Sequence, residues 1–407
     1  MSSHSRAADT GLVRNVPGAY YRPSAFETAA SWVHGLLPPP AEPPPAACPR
    51  AALEAAILPS LLAGPCFVLF SGGRDSSAVL AVATLLARRE GLSDPVPVTQ
   101  RYPAFPDSDE STWQEQVVRH LELANWVRLD ITPEQSDLLG ADARAGLRER
   151  GVIWPPALQT KGSVLASVGA GSFLGGEGGD EVLGVRRPRP LRTALAGGRP
   201  SVGDLRAASA SVAPRPLRER RTLARLLRSD MQPWLREDFR RQHFRLVAAD
   251  QAAEPLDFVG ALAWLQRRRG SALAAGNFRR LAAEYASTIT QPLLAPAFTA
   301  AVARSTHRWG YRSRTEAMAA LFGDCLPRAV IERRQKTMFN RAYVGEGSRT
   351  FAREWDGSGV DHDLVDAERL RQEWLADVPS AISTVMLQSA WLASQQHAGL
   401  APERPDA

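Results

Sequence analysis

The run Ser71-Gly-Gly-Arg-Asp-Ser-Ser77 puts hydroxyls, glycines and one acid side by side. An apolar stretch, Cys66 to Phe70, precedes it, and a helix-like stretch, Ala78 to Arg89, follows. That order places backbone N–H groups and the hydroxyls of Ser71, Ser76 and Ser77 at a helix N-terminus, where partial positive charge favours an anion. Gly72 and Gly73 permit a tight turn and the close approach of phosphate oxygens. Asp75 is an acid inside an anion site, which predicts a divalent cation between the two. The Gly-x-x-x-x-Gly-Lys-Ser/Thr phosphate loop is a different pattern and is absent from the sequence.

A second cluster, Leu174-Gly-Gly-Glu-Gly-Gly-Asp-Glu181, follows another short apolar run. Glycines interleaved with Glu177, Asp180 and Glu181 make a poor helix or strand but a good edge for a metal and a nucleotide. Alone the cluster could also be a calcium site or a plain turn. Its partnership with the first loop makes it specific.

Both loops need a scaffold that brings them together. Strands are predicted at 66–70, 96–101, 126–131 and 171–174, with a helix at 51–62 before the first and helices at 78–89 and 110–122 between them. This alternation predicts an α/β fold, a doubly wound parallel sheet with ligands at the carboxyl edge of its strands. Beyond about residue 193 strand signals fade. Periodic stretches such as Pro216 to Leu227, Phe258 to Gln266 and Phe278 to Tyr285 predict a largely helical second half. An amphipathic piece, Ala29 to Leu37, and a proline-rich run, Pro38 to Pro45, read as a spacer, precede the first strand. The division expected is an N-terminal extension at 1–60, an α/β core at 61–195, a helical part at 196–398 and a frayed tail at 399–407.

Composition narrows the setting. No apolar run approaches the ~20 residues of a membrane span, and no signal region follows Met1 to Thr10, so a cytoplasmic protein is expected. Cys48, Cys66 and Cys325 lie too far apart for a zinc pattern or a disulfide framework. A net charge of +6 reads as a solvated Arg-rich surface rather than a nucleic-acid site. Among 49 Lys and Arg residues only Lys161 and Lys336 are lysines, so each invites a reason for an ammonium. For Lys161 the expectation is a solvated side chain.

The two loops together resemble the synthetase domain of the asparagine synthetase family, within the ATP pyrophosphatases, over roughly Phe67 to Phe339. Pro292-Leu-Leu-Ala-Pro-Ala-Phe298 is similar to that family's Pro-Phe-Leu-Asp segment. Leu326 to Phe339, containing Arg334, Gln335 and Lys336, is similar to its Leu-Pro … Arg-x-Lys-x-x-Phe segment. The resemblance implies a fold of the ATP pyrophosphatase type, with ATP and Mg2+ as cofactors. A substrate carboxylate would attack the α-phosphate, pyrophosphate would leave, and an amine would then displace AMP to form an amide. It implies that Ser71, Gly72, Gly73, Asp75, Ser76 and Ser77 bind pyrophosphate, with Asp75 and Asp180 on magnesium. Gly175, Gly176 and Glu177 would lie against the nucleotide, and Thr99 and Gln100 would be adenine or ribose contacts at a strand end. Lys336 would stabilise charge at the α-phosphate.

The chain departs from the family at several points. The expectation is a synthetase without a glutaminase part, since Ser2 stands where glutamine-using members carry a catalytic cysteine; nitrogen would come from a separate amine or from ammonia. Ala295 replaces the aspartate of Pro-Phe-Leu-Asp, and Thr288 or a neighbour replaces an upstream acid. Glu284 and Tyr285 are therefore candidates for the general base. The chain is most similar to the branch serving peptide and natural-product biosynthesis, which includes lasso-peptide macrolactam synthetases. Its partners would be a small-molecule or peptide substrate bearing a carboxylate, an amine donor and proteins of the same biosynthetic cluster, with no membrane. The alternatives are an ammonia-dependent asparagine synthetase-like enzyme, an RNA-modifying adenylating enzyme and a catalytically inactive partner subunit.

Overall fold

The structure is a computed structural model describing residues 19–39, 47–184, 186–195, 200–333 and 340–400. Helix α1 (Ala25–Ala30) is followed by α2 (Pro49–Ala63), β1 (Cys66–Leu69), α3 (Arg74–Arg89), β2 (Val96–Arg101), α4 (Ser111–His120), β3 (Val127–Asp130) and β4 (Ser172–Leu174). A last strand, β5 (Thr288–Thr290), comes from the second half of the chain. The sheet has the order β3-β2-β1-β4-β5, and every pairing is parallel. The chain leaves β1 toward β2 and β3, then crosses back to add β4 on the other side. This reversal opens a crevice beyond the carboxyl ends of β1 and β4, where both glycine loops emerge.

β1 shows why the sheet is buried on both faces. Cys66, Val68 and Phe70 enter one core with α2 and α3 and with Phe258, Phe298 and Phe322 from later helices. Phe67 points the other way, into a core shared with Val98, Phe173, Ile289 and Phe278. The helices Lys161–Val168 and Arg269–Glu284 cover that second face. The latter runs into β5, and the former precedes β4, so Lys161 starts its helix at the carboxyl edge of the sheet. A further core gathers Trp234, Trp355, Trp374 and Trp391 around α1.

The four expected strands and the parallel α/β class match the observed sheet. The amphipathic piece at 29–37 does not form a helix over that range. The Ser24–Glu27 capping box starts α1 earlier, and Ser31, at φ +46°, ends it. The chain then runs extended, and Leu36 forms a bridge with Arg268. Residues 40–46 of the proline-rich spacer and 401–407 of the tail lie outside the described residues, as do Met1 to Thr10. Among the described residues no helix is long and apolar enough to cross a membrane.

Candidate active site

Gly72 takes φ +82° and turns the chain back after β1; a Cβ there would sit 2.7 Å from Gln114 Cγ on α4. Gln114 fixes the turn by donating Nε2 to the Ser71 carbonyl at 3.0 Å. Gly73 then caps α3, whose first N–H groups have no intrahelical acceptor. Ser71 and Ser76 hydroxyls lie 3.1 Å apart, and the Ser71 hydroxyl accepts from Gly73 N at 3.2 Å. Ser77 is different. Its hydroxyl donates inward to Gly73 O at 2.8 Å and is buried, so it shapes the helix start rather than lining the crevice.

The second loop closes on the first. Gly175 donates to the Thr290 carbonyl at 2.9 Å, which ties the loop to β5. A Cβ on Gly176 would stand 2.7 Å from Ser76 N, and one on Gly179 would stand 2.0 Å from Asp75 Cγ. Only glycine permits these approaches. As a result Asp75 and Asp180 face one another across the crevice. The guanidinium of Arg314 bridges them, donating to Asp75 Oδ2 and to Asp180 Oδ1. Burial pushes the Asp75 carboxyl up, and the hydrogen bond from Arg314 pulls it back.

A cavity of about 700 Å³ opens from this point. Ser71, Gly73, Asp75, Ser76, Gly176 and Asp180 line it, and so do the apolar side chains of Trp32, Val33, Trp154 and Phe278. Lys161 lines it too. The expectation of a solvated lysine is corrected here: the ammonium is in the cavity wall and donates to Gln100 Oε1 at 2.7 Å. Burial lowers its pKa, with the charge of Glu177 opposing. Glu177 shows the mirror effect, raised by burial and pulled down by Lys161. Its backbone N–H donates to Gln291 Oε1 at 3.2 Å.

Three further expected site residues are placed elsewhere. The pleat sends Gln100 into the cavity and Thr99 to the opposite face, where its hydroxyl donates to Phe70 O and accepts from Trp126. Glu284 ends its helix facing away from the cavity and accepts from Tyr20 Oη at 2.7 Å and Arg150 Nε at 2.8 Å. Tyr285 packs its ring against Gly162, outside the cavity lining. Lys336, with Arg334, Gln335 and Phe339, lies outside the described residues. Arg333, just before them, is described. It is buried, donates to Gly72 O at 3.1 Å and pairs with Glu110 at 2.7 Å, so Arg333 itself stands beside the first loop.

The acids suit an oxygen-preferring divalent cation. Asp75 Oδ1 is buried with no hydrogen-bond partner among the described residues, and both acids offer hard carboxylate oxygens. No group of three or more His, Cys, Asp or Glu among the described residues could enclose an ion. A cation held here would complete its shell with phosphate or water oxygens, as magnesium does in nucleotide sites.

Two facing glycine loops and paired acids at the switch point of a parallel sheet define an α/β protein with a crevice that could hold an anionic ligand and a cation together. More particularly, residues 50–393 match the model of the asparagine synthase family, and the chain belongs to that family. Its members are ATP-dependent ligases that form amides. No curated protein matches the chain.

Proposed function

We propose that this protein is an amide synthetase that adenylates a substrate carboxylate with release of pyrophosphate and then passes the acyl group to an amine with release of AMP. The observation that carries the reading is the contact between the loops, which places Gly176 on Ser76 and Asp75 beside Asp180 at the helix N-terminus of α3. The Ser71–Ser76 loop would take the pyrophosphate end of ATP on backbone N–H groups and hydroxyls. Asp75 and Asp180 would hold Mg2+, which would neutralise phosphate charge when bound. Lys336 would stand at the α-phosphate, where its charge stabilises both transition states without reorganisation.

Glu177 is better placed than Glu284 or Tyr285 to accept a proton from the attacking amine, because it lines the cavity and its carboxyl is raised by burial. The apolar lining side chains, Trp32, Val33, Trp154 and Phe278 among them, support a substrate larger and less polar than aspartate. That favours a peptide or natural-product acid over a free amino acid, and a macrolactam if acid and amine share one molecule.

The test is incubation with ATP, magnesium, hydroxylamine as the amine and a panel of hydrophobic and peptide carboxylates. The expected products are a hydroxamate, AMP and pyrophosphate in equal amounts. Release of ADP and phosphate would overturn the reading.

A further inference from the structure

Asp75 stands in the first turn of α3, and Asp180 stands in the short helix Gly179–Val182 after β4. Two carboxylates facing one site repel, so a cation between them is stabilising. Arg314 supplies that cation from a third element, as the first residue of the helix Arg314–Phe322. A guanidinium presents a planar fork of donors, which allows one side chain to serve both acids at once. The bridge is sheltered on one side, with Arg314 at 20% and Asp75 at 19% side-chain exposure, while Asp180 is 54% exposed. The helix behind Arg314 is fixed. Ser313 caps it at Glu316 N, and Ala317, Met318 and Phe322 are buried in the central core. Only the side chain of Arg314 is free to leave.

We infer that Arg314 is a placeholder cation, bridging Asp75 and Asp180 until a divalent metal arrives together with a polyphosphate. The bridge itself stands on the contacts above; its release by nucleotide rests on the ATP reading. A bare divalent ion must break two charge-assisted hydrogen bonds and leave a partly buried guanidinium without acceptors. A metal that arrives on a triphosphate brings phosphate oxygens, for which the guanidinium fork is well suited. Displacement is uncompensated in the first case and compensated in the second. The acids therefore hold no loose metal, and metal and nucleotide enter as one ligand.

Equilibrium dialysis with Mn2+ tests this directly. Wild-type protein without nucleotide should retain little Mn2+, and Arg314→Gln should retain it roughly tenfold more tightly or better, because a nearby positive charge has gone. Adding Asp180→Asn to Arg314→Gln should abolish the gain. With ATP present, wild-type protein should retain Mn2+ and ATP together. Equal retention of bare Mn2+ by wild type and Arg314→Gln would overturn the placeholder. If Arg314→Gln gains bare Mn2+ but wild type retains no Mn2+ with ATP, the bridge is upheld and the ATP reading, with the release step, is overturned. Should Arg314→Gln fail to fold, Arg314→Lys keeps the charge without the fork. It should then retain bare Mn2+ more tightly than wild type, and Mn2+ retention no greater than wild type would overturn the proposal.

Discussion

Lys161 and Glu177 temper one another across the cavity, and this coupling predicts a pH signature. The proposed base role of Glu177 requires a deprotonated carboxylate, so the rate should be lost as pH falls through its raised pKa. Lys161 pulls that pKa down. Lys161→Met should therefore move the acid limb of the kcat/KM profile to higher pH, and Glu177→Gln should remove the limb. A charged hydrogen-bond donor lost from the cavity should also lower kcat/KM roughly tenfold or more. The hydroxamate assay across pH reads both effects, and an unmoved acid limb in Lys161→Met would separate Glu177 from catalysis. At this scale the sequence is legible where chemistry and spacing coincide. Ser71, Asp75, Ser76, Gly176 and Asp180 stand in continuous motifs, and all line the cavity. Lys161 was marked only by the rarity of lysine, and burial rather than any motif makes it a cavity group. Arg314 had no such mark, being one arginine among many. Its meaning comes from a fold that carries it to two acids more than 100 residues away.

The N-terminal segment is an element that the sequence read as extension and spacer, yet Trp32 and Val33 form part of the cavity wall. Its attachment is polar as well as apolar. Glu27 pairs with Arg269 at 2.5 Å, and His34 Nε2 meets His243 Nδ1 at 3.0 Å. Burial keeps His243 neutral, with its pKa down to about 3 from an ordinary 6.5, and His34 is also lowered by burial. Around the pair, the charges of Asp250 and Glu27 favour a protonated His34, whereas Arg269 opposes it. The unfolded chain binds a proton that folded His243 refuses, so its stabilising effect is complete above pH 6.5 and is lost as pH falls toward 3. The slope for one such group is at most about 1.4 kcal/mol per pH unit. Urea unfolding at several pH values should show this decline, and His243→Gln should make it shallower by up to one proton. An identical slope in the variant would mean that His243 titrates normally. The strands contrast with this segment. β1 and β4 are legible as short apolar runs, and β2 and β3 as short stretches with apolar residues at alternate positions, whereas β5 is three residues, Thr288–Thr290, whose partner β4 lies 116 residues earlier. No local pattern records a pairing over that distance.

For the whole molecule, the change from α/β rhythm to helical periodicity near residue 195 suggests a seam, but the packing crosses it. β5 is a strand of the sheet, and Gly175 of the second loop donates to its Thr290 carbonyl. The central core mixes α2, α3 and β1 with Phe258, Leu262, Phe298, Val302 and Phe322. On the opposite face Phe67 and Phe173 are covered by Phe278 and Leu281. A fragment ending at 195 would expose both faces of its sheet and lose Arg314 from between the acids. Large aromatic side chains removed from such cores cost about 3–5 kcal/mol each, so loss of several exceeds the net stability of an ordinary domain. A fragment covering 47–195 should therefore show no cooperative thermal transition and no near-ultraviolet circular dichroism, although it carries both glycine loops intact. A sharp transition in that fragment would show that the second half is an addition to a self-sufficient core. The same packing explains why Asp75, Asp180 and Arg314 can act as one unit: each is fixed on a separate element, and the shared core holds those elements in register.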